Sequence, residues 1–273
     1  MMYEFKMYSP CCKWYLEIQT DCSLAAKLIV ELYGGFIVQE QPHRDDLSFL
    51  GIIIKKRRYG YVMMGKSKEY QIKDLNGVAF YLYAVIDKLI EGNMDERYCV
   101  LHGGVIAKDT TAYCVIAPTM TGKSTFVAYF ALNGYRYLAD DYIFFDRETY
   151  TIMPLPLPVS LRNTTALGSL LENTYTVSGY NELRGEENTL VSLYKNQETP
   201  YSINRILFIR RGKNNALQSL NKGDLYKSML FNLKNALNIG REQITIGGLI
   251  NSICGYELSY GDFEYAAECM ESI

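Results

Sequence analysis

The sequence predicts an α/β fold in which a strand–loop–helix core follows a smaller α+β unit. Three observations predict it. Two apolar runs of buried-strand type, 99–106 and 112–116, are separated by the turn Lys108-Asp109-Thr110-Thr111. A glycine-lysine loop follows the second run directly and opens a helix that ends at Asn133-Gly134. Residues 1–97 instead mix alternating strand patterns with two amphipathic helices, and 98–273 form the second domain.

In the front domain, 14–19 alternates as a strand does. A helix capped by Asp21 or Ser23 then runs through Leu32, and Gly34-Gly35 stops it. Segments 49–55 and 59–64 read as strands joined by the basic turn Lys55-Lys56-Arg57-Arg58, with 70–73 as a third. That turn is read as a solvated hairpin, and an exposed strand edge beside it would suit a peptide by strand addition. Asn76 caps a second helix with Ala79, Leu82, Ile86 and Leu89 on one face, ended by Gly92-Asn93.

In the second domain, 135–138 and 142–145 bracket Asp140-Asp141. Pro154, Pro156 and Pro158 impose an extended segment. Residues 173–200 are polar and read as an irregular loop or lid. A strand at 203–210, helices at 222–237 and 242–253, a strand at 256–260 and a final helix capped near Gly261-Asp262 complete the pattern.

Composition narrows the function. Apolar residues are 48% of the chain and charged residues 21%, the balance of a folded protein with a core. A net charge of −2 gives no basic field for nucleic acid. The apolar runs are too short to span a bilayer, and the N-terminus has no signal pattern. The seven cysteines include no C-x-x-C pair and read as reduced thiols. The expectation is a soluble, cytoplasmic protein without nucleic-acid or membrane partners.

The chemistry concentrates in Ala117-Pro118-Thr119-Met120-Thr121-Gly122-Lys123-Ser124, with Thr125 in the first helical turn. Between a strand and a helix, such a loop wraps phosphates with main-chain N–H groups, and the helix N-terminus adds partial positive charge. Lys123 would reach the β- and γ-phosphates, and the Ser124 hydroxyl would ligate Mg2+. Ala117 and Met120 stand where such loops often have glycine. Asp140-Asp141 falls past the next apolar stretch, where a carboxylate can hold Mg2+ or accept a proton.

These residues resemble the HPr kinase family and, more broadly, the phosphoenolpyruvate carboxykinase-like fold. The resemblance rests on Leu-His-Gly-Gly-Val at 101–105, Gly122-Lys123-Ser124, and the run from Asn133 into Ala139-Asp140-Asp141. Spacing agrees: 21 positions from His102 to Lys123 and 17 from Ser124 to Asp141. The segment ending Ser160-Leu161-Arg162 and the stretch 256–262 look like the shorter related enzymes found with peptide-modification clusters. Some of those phosphorylate serine on lasso-peptide precursors.

The resemblance implies an ATP- and Mg2+-dependent kinase acting on a hydroxyl, serine by expectation, of a peptide or small protein such as a lasso-type precursor peptide. A homo-oligomer is compatible with it. Lys123 would grip the phosphates, Ser124 and Asp140 would serve the metal, Asp141 would take the proton, and His102 would lie near the transferred phosphate. The family's Glu-x-Arg-Gly-Leu-Gly signature is altered here: Glu182-Leu183-Arg184-Gly185 precedes Glu186-Glu187 and lies further from the Asp pair. That departure argues against a sugar-regulating HPr kinase/phosphorylase. Glu182 is a candidate ligand, and Arg162 and Arg241 are candidates for neutralising transferred charge, against a plain surface ion pair for each arginine. The rivals are a small-molecule kinase on the same loop and a nucleotide-binding regulatory module without turnover.

Overall fold

The computed structural model describes residues 1–40, 42–65, 68–181, 185–195, 200–234 and 239–273. It is a mixed α/β structure with two compact units: Met1–Asp95 with Pro156–Asn196, and Glu96–Leu155 with Gln197–Ile273. The expected second domain, 98–273, was contiguous. In the structure Pro156–Asn196 groups with the first unit instead.

The first unit is built on strands β1 (Tyr3–Tyr8), β2 (Trp14–Thr20), β3 (Ile37–Val38), β4 (Ser48–Arg57), β5 (Gly60–Met64) and β6 (Glu69–Ile72), in the order β3-β1-β2-β4-β5-β6. Trp14, Leu16 and Ile18 alternate onto a fully buried face, as a period of two requires. Helices α1 (Ser23–Tyr33) and α2 (Leu75–Gly92) pack on one another, and the Tyr33 hydroxyl donates to the Ala79 carbonyl at 2.7 Å.

Both helix starts differ from expectation. No side chain caps α1; Asp21 instead accepts the Lys56 amide at 3.1 Å, tying the chain to β4. Asp74 caps α2 by accepting the Gly77 amide at 2.8 Å, while Asn76 donates to the Ser178 carbonyl. Strands β4 and β5 are each paired on both sides, so the basic turn lies on no free edge; the sheet's edges are β3 and β6.

A second sheet in this unit, β13 (Val159–Leu161), β14 (Thr176–Asn181) and β15 (Glu186–Val191), has the order β13-β15-β14. Much of the expected polar loop is therefore a hairpin. Its apolar residues are few but correctly spaced: Val177 faces Leu190 across the strands, and both are buried. Glu182, the candidate ligand, lies outside the described residues with Leu183 and Arg184.

The second unit contains β7 (Tyr98–Leu101), β8 (Gly104–Lys108), β9 (Thr111–Ile116), β10 (Arg136–Ala139), β11 (Ile143–Asp146), β12 (Thr151–Met153), β16 (Tyr201–Arg211), β17 (Ala216–Ser219) and β18 (Cys254–Tyr260). The sheet runs β10-β8-β9-β16-β12-β11-β7, with β18 parallel to β16 and β17 antiparallel on β18. Strand β9 is also parallel to β16, so three parallel carboxyl ends, of β9, β16 and β18, lie side by side.

Among the described residues the unit also has the α-helices α3 (Lys123–Leu132), α4 (Lys222–Phe231), α5 (Ile239–Leu249) and α6 (Phe263–Ser272). The expected helices at 222–237 and 242–253 are thus α4, ending at Phe231, and α5; 235–238 lie outside the described residues. Helix α3 buries Phe126, Val127, Ala128 and Phe130 against the sheet, with β8 beside it, and its Tyr129 stacks on Phe263, the first residue of α6, at 4.1 Å between centroids.

The apolar run 99–106 is not one strand. It breaks at His102-Gly103 into β7 and β8. Bulk explains the two glycines: a Cβ on Gly103 would meet Ile143 Cδ1 at 2.6 Å and the Val115 carbonyl at 2.7 Å, and one on Gly104 would meet Val127 Cγ2 at 2.6 Å. Without a side chain at Gly104, β8 lies close against α3, and the same Cβ position would be 3.1 Å from Asp140 Oδ1. No helix among the described residues is long and apolar enough to cross a membrane.

Candidate active site

Strand β9 delivers Ala117, which is buried, into an exposed turn of Pro118, Thr119 and Met120. The Thr121 hydroxyl closes that turn by donating to the Pro118 carbonyl at 2.6 Å. Gly122 then forms the N-cap of α3 at φ 95, with no side-chain cap and no acidic residue in the first turn. The first amides of α3 therefore have no anionic side chain competing for them, which is the arrangement an incoming phosphate needs. Ser124 and Thr125 sit half-buried in that turn.

The two non-glycine positions of the loop have different backbones. Ala117 is absent from the positive-φ residues among those described, so its methyl group costs nothing in conformation. Met120 has φ 68 and is 81% exposed. It occupies a left-handed position that glycine would adopt freely.

Lys123 is buried and folds back onto the acidic pair. Its Nζ donates to Asp140 Oδ1 and, at 2.9 Å, to Asp141 Oδ1. Burial alone would lower the ammonium's pKa, but the two carboxylates hold it above the ordinary lysine value. For Asp141, burial opposes ionisation; the Lys123 charge overcomes it, with Lys234 and His102 adding, and the carboxyl drops to about 2. Asp141 also has φ 68, a strained backbone fixed by its surroundings.

His102 occupies the break between β7 and β8. Its Nδ1 lies 3.1 Å from the Asp141 carbonyl, and its amide donates to the Asn232 carbonyl at 2.7 Å. Burial first, then the Lys123 charge, pushes the imidazole below its ordinary value, so the ring is neutral at pH 7. The structure thus brings His102, Lys123, Asp140 and Asp141 together at the mouth of the loop.

A further cation joins them that sequence reasoning missed. The Lys234 amide donates to the Val100 carbonyl at 2.9 Å, holding the chain after α4 beside β7. Its Nζ sits 3.6 Å from the centroid of the Tyr142 ring, and its charge acts on both Asp141 and His102. Lys234 lay inside a stretch read as helix, where no spacing separates it from other surface lysines.

Of the two arginine candidates, Arg162 pairs with Glu186 at 2.6 Å, and Arg241, half exposed, lies 3.9 Å from Glu96. Among the described residues no group of three or more His, Cys, Asp or Glu side chains is arranged to hold a metal ion. The donors at the loop are hard oxygens, from Ser124 and the Asp pair. They fit Mg2+ only as part of a set completed by phosphate oxygens and water, the usual habit of that ion.

No protein-family model matches the chain. No curated protein matches it either. Among solved structures, it is similar to the Hpr(Ser) kinase/phosphatase from Coxiella burnetii, with a TM-score of 0.27 and 10% identity over 59% of this chain and 84% of that one. That superposition is too loose to carry an argument, so the chemistry must come from the cluster itself.

Proposed function

We propose that this chain is a nucleoside-triphosphate-dependent kinase that phosphorylates a hydroxyl, with ATP as donor and a peptide serine as acceptor. One observation supports it above the others: Lys123, at the uncapped start of α3, is paired with Asp140 and Asp141 beside a neutral His102. A lysine, a carboxylate pair and free helix amides at one point are the parts phosphoryl transfer uses, since that reaction needs positioning and charge neutralisation.

In this reading the ion pair is a resting arrangement. Triphosphate would draw Lys123 off the carboxylates, and Ser124 and Asp140 would be the side chains that hold Mg2+, which would supply charge neutralisation there. Asp141 then loses its strongest cationic partner and becomes a better base. The acceptor oxygen bonds to the γ-phosphorus as its proton passes to Asp141, and the bond from phosphorus to the bridging oxygen breaks to release the diphosphate. With its Nδ1–H given to the Asp141 carbonyl, the neutral His102 ring has Nε2 left to accept one hydrogen bond beside the transferred group. The serine of a peptide is assigned from the sequence resemblance, of 101–141 to the HPr kinase family and of the segment ending at Arg162 and 256–262 to its peptide-modification relatives.

The test uses two variants of the whole chain. Lys123→Ala should abolish triphosphate binding in calorimetry; retained affinity would remove the loop from the site. Asp141→Asn should bind triphosphate yet lose about 10²- to 10⁴-fold in transfer rate. Mass spectrometry of candidate precursor peptides after incubation with ATP and Mg2+ should show one added phosphate. Phosphorylation of a metabolite but of no peptide would establish the small-molecule reading instead.

A further inference from the structure

The face of the sheet next to the loop carries a cavity of about 710 Å³ that the transfer chemistry does not use. Its position follows from strand register. Ile116 pairs with Phe208, Phe208 with Glu257, Glu257 with Gln218, and Arg210 with Ser259, so these side chains share one face. Helix α4 packs on the same face further back, where a Cβ on Gly255 would meet Leu225 at 2.6 Å. The helix ends at Phe231, and the cavity lies at the carboxyl ends of β9, β16 and β18. Ligands of open α/β sheets collect at such carboxyl ends.

The lining points to a ligand. Ala117, Pro118 and Thr121 belong to the loop and also form one wall, so the cavity is continuous with the phosphate position. Phe208 is half-buried, and Phe231 is 89% exposed although it lines the cavity. An aromatic ring left that open beside a recess has a use when something flat covers it. Glu257 and Gln218 lie opposite each other on β18 and β17, offering a carboxylate acceptor and an amide that both donates and accepts. Asp141 does not line the cavity, so an acceptor hydroxyl placed there would not meet the base.

We infer that this cavity holds the nucleoside of the donor, with the base against Phe231 and Phe208 and its N–H edge read by Glu257 and Gln218. The inference rests on the kinase reading of the loop and extends it to residues outside the loop. A planar ring satisfies the exposed phenyl groups, a donor-bearing edge satisfies the carboxylate, and a triphosphate tail reaches the amides of α3 from there. The volume lies within the range of small-molecule sites.

Calorimetric titration of the whole chain with ATP, GTP and inorganic tripolyphosphate, each with Mg2+, tests it. At least one of the two nucleotides should bind about tenfold or more tightly than tripolyphosphate, the scale of one base stacked on an aromatic ring. Phe231→Ala should lose about that factor for the nucleotide and leave tripolyphosphate unchanged, and Glu257→Gln should change the ratio of ATP to GTP affinity. Tripolyphosphate binding as tightly as both nucleotides would overturn the inference, as would nucleotide affinities that neither variant moves. In those outcomes the loop still binds phosphate and the kinase reading stands. Absence of binding by all three compounds would sink both.

Discussion

Asp141 answers to several neighbours at once. Its carboxylate accepts from Lys123, its carbonyl lies within reach of His102, and its backbone is held at φ 68. The Asp pair and the lysine were legible from residue type and spacing; the left-handed backbone was not, because it comes from the connection between β10 and β11. Met120 is another residue held at positive φ, and here the sequence did offer the clue, since glycine is common at that position. A non-β-branched side chain in the left-handed region costs about 1–2 kcal/mol, which glycine relieves while adding unfolded-state freedom. Met120→Gly should therefore leave the melting temperature unchanged or raised and triphosphate affinity intact. Met120→Val, which brings a β-branched side chain to the same φ, should destabilise by about 1 kcal/mol or more. Equal stability of the two variants in urea unfolding would show that this φ is not a constraint.

Elements were legible where one face is apolar and opaque where long-range pairing decides. The periodicity of 14–19 and the loop-to-helix step at 122–123 show on their own. Strand β12 has three residues and exists because β11 and β16 flank it, and β17 exists because β18 offers an edge. The break of 99–106 at His102 was hidden because a buried strand and two buried strands have the same composition. Packing between elements can also be charged. Arg147, just past β11, reaches α5, where Nη1 and Nη2 each lie 2.6 Å from a Glu242 carboxylate oxygen, and Glu242 is 1% exposed. Removing one partner leaves a buried charge uncompensated, at a cost of about 3–5 kcal/mol, whereas removing both is often nearly neutral. Arg147→Met should lower the unfolding free energy measured in urea by that amount, and Arg147→Met with Glu242→Leu should recover most of it. A single variant as stable as the parent would mean that the pair contributes nothing to the docking of α5.

At the scale of the whole chain, charge placement couples folding to pH on the acid side. Asp146 is held at about 2: burial opposes its ionisation, but the amides of Thr149 and Glu148 and the Arg97 guanidinium outweigh it. Asp141 is held at about 2 by Lys123 against its own burial. A carboxyl with a depressed folded pKa contributes stability that is complete above its unfolded value, near 4, and is lost as pH falls toward 2. His102 acts at higher pH. Its folded pKa lies below the ordinary value of about 6.5, so between those two values the unfolded chain binds the extra proton and stability falls as pH falls. Two acid-side losses follow, one beginning near pH 6.5 and one below about 4. Calorimetric scans at pH 7.5, 5.5 and 3 should show the melting temperature falling at each step. His102→Gln should flatten the step between 7.5 and 5.5 and leave the lower one. If the variant shows the parent's full drop across the upper step, the neutral imidazole beside Lys123 is not its source, and the charge balance assigned to the site must be redrawn.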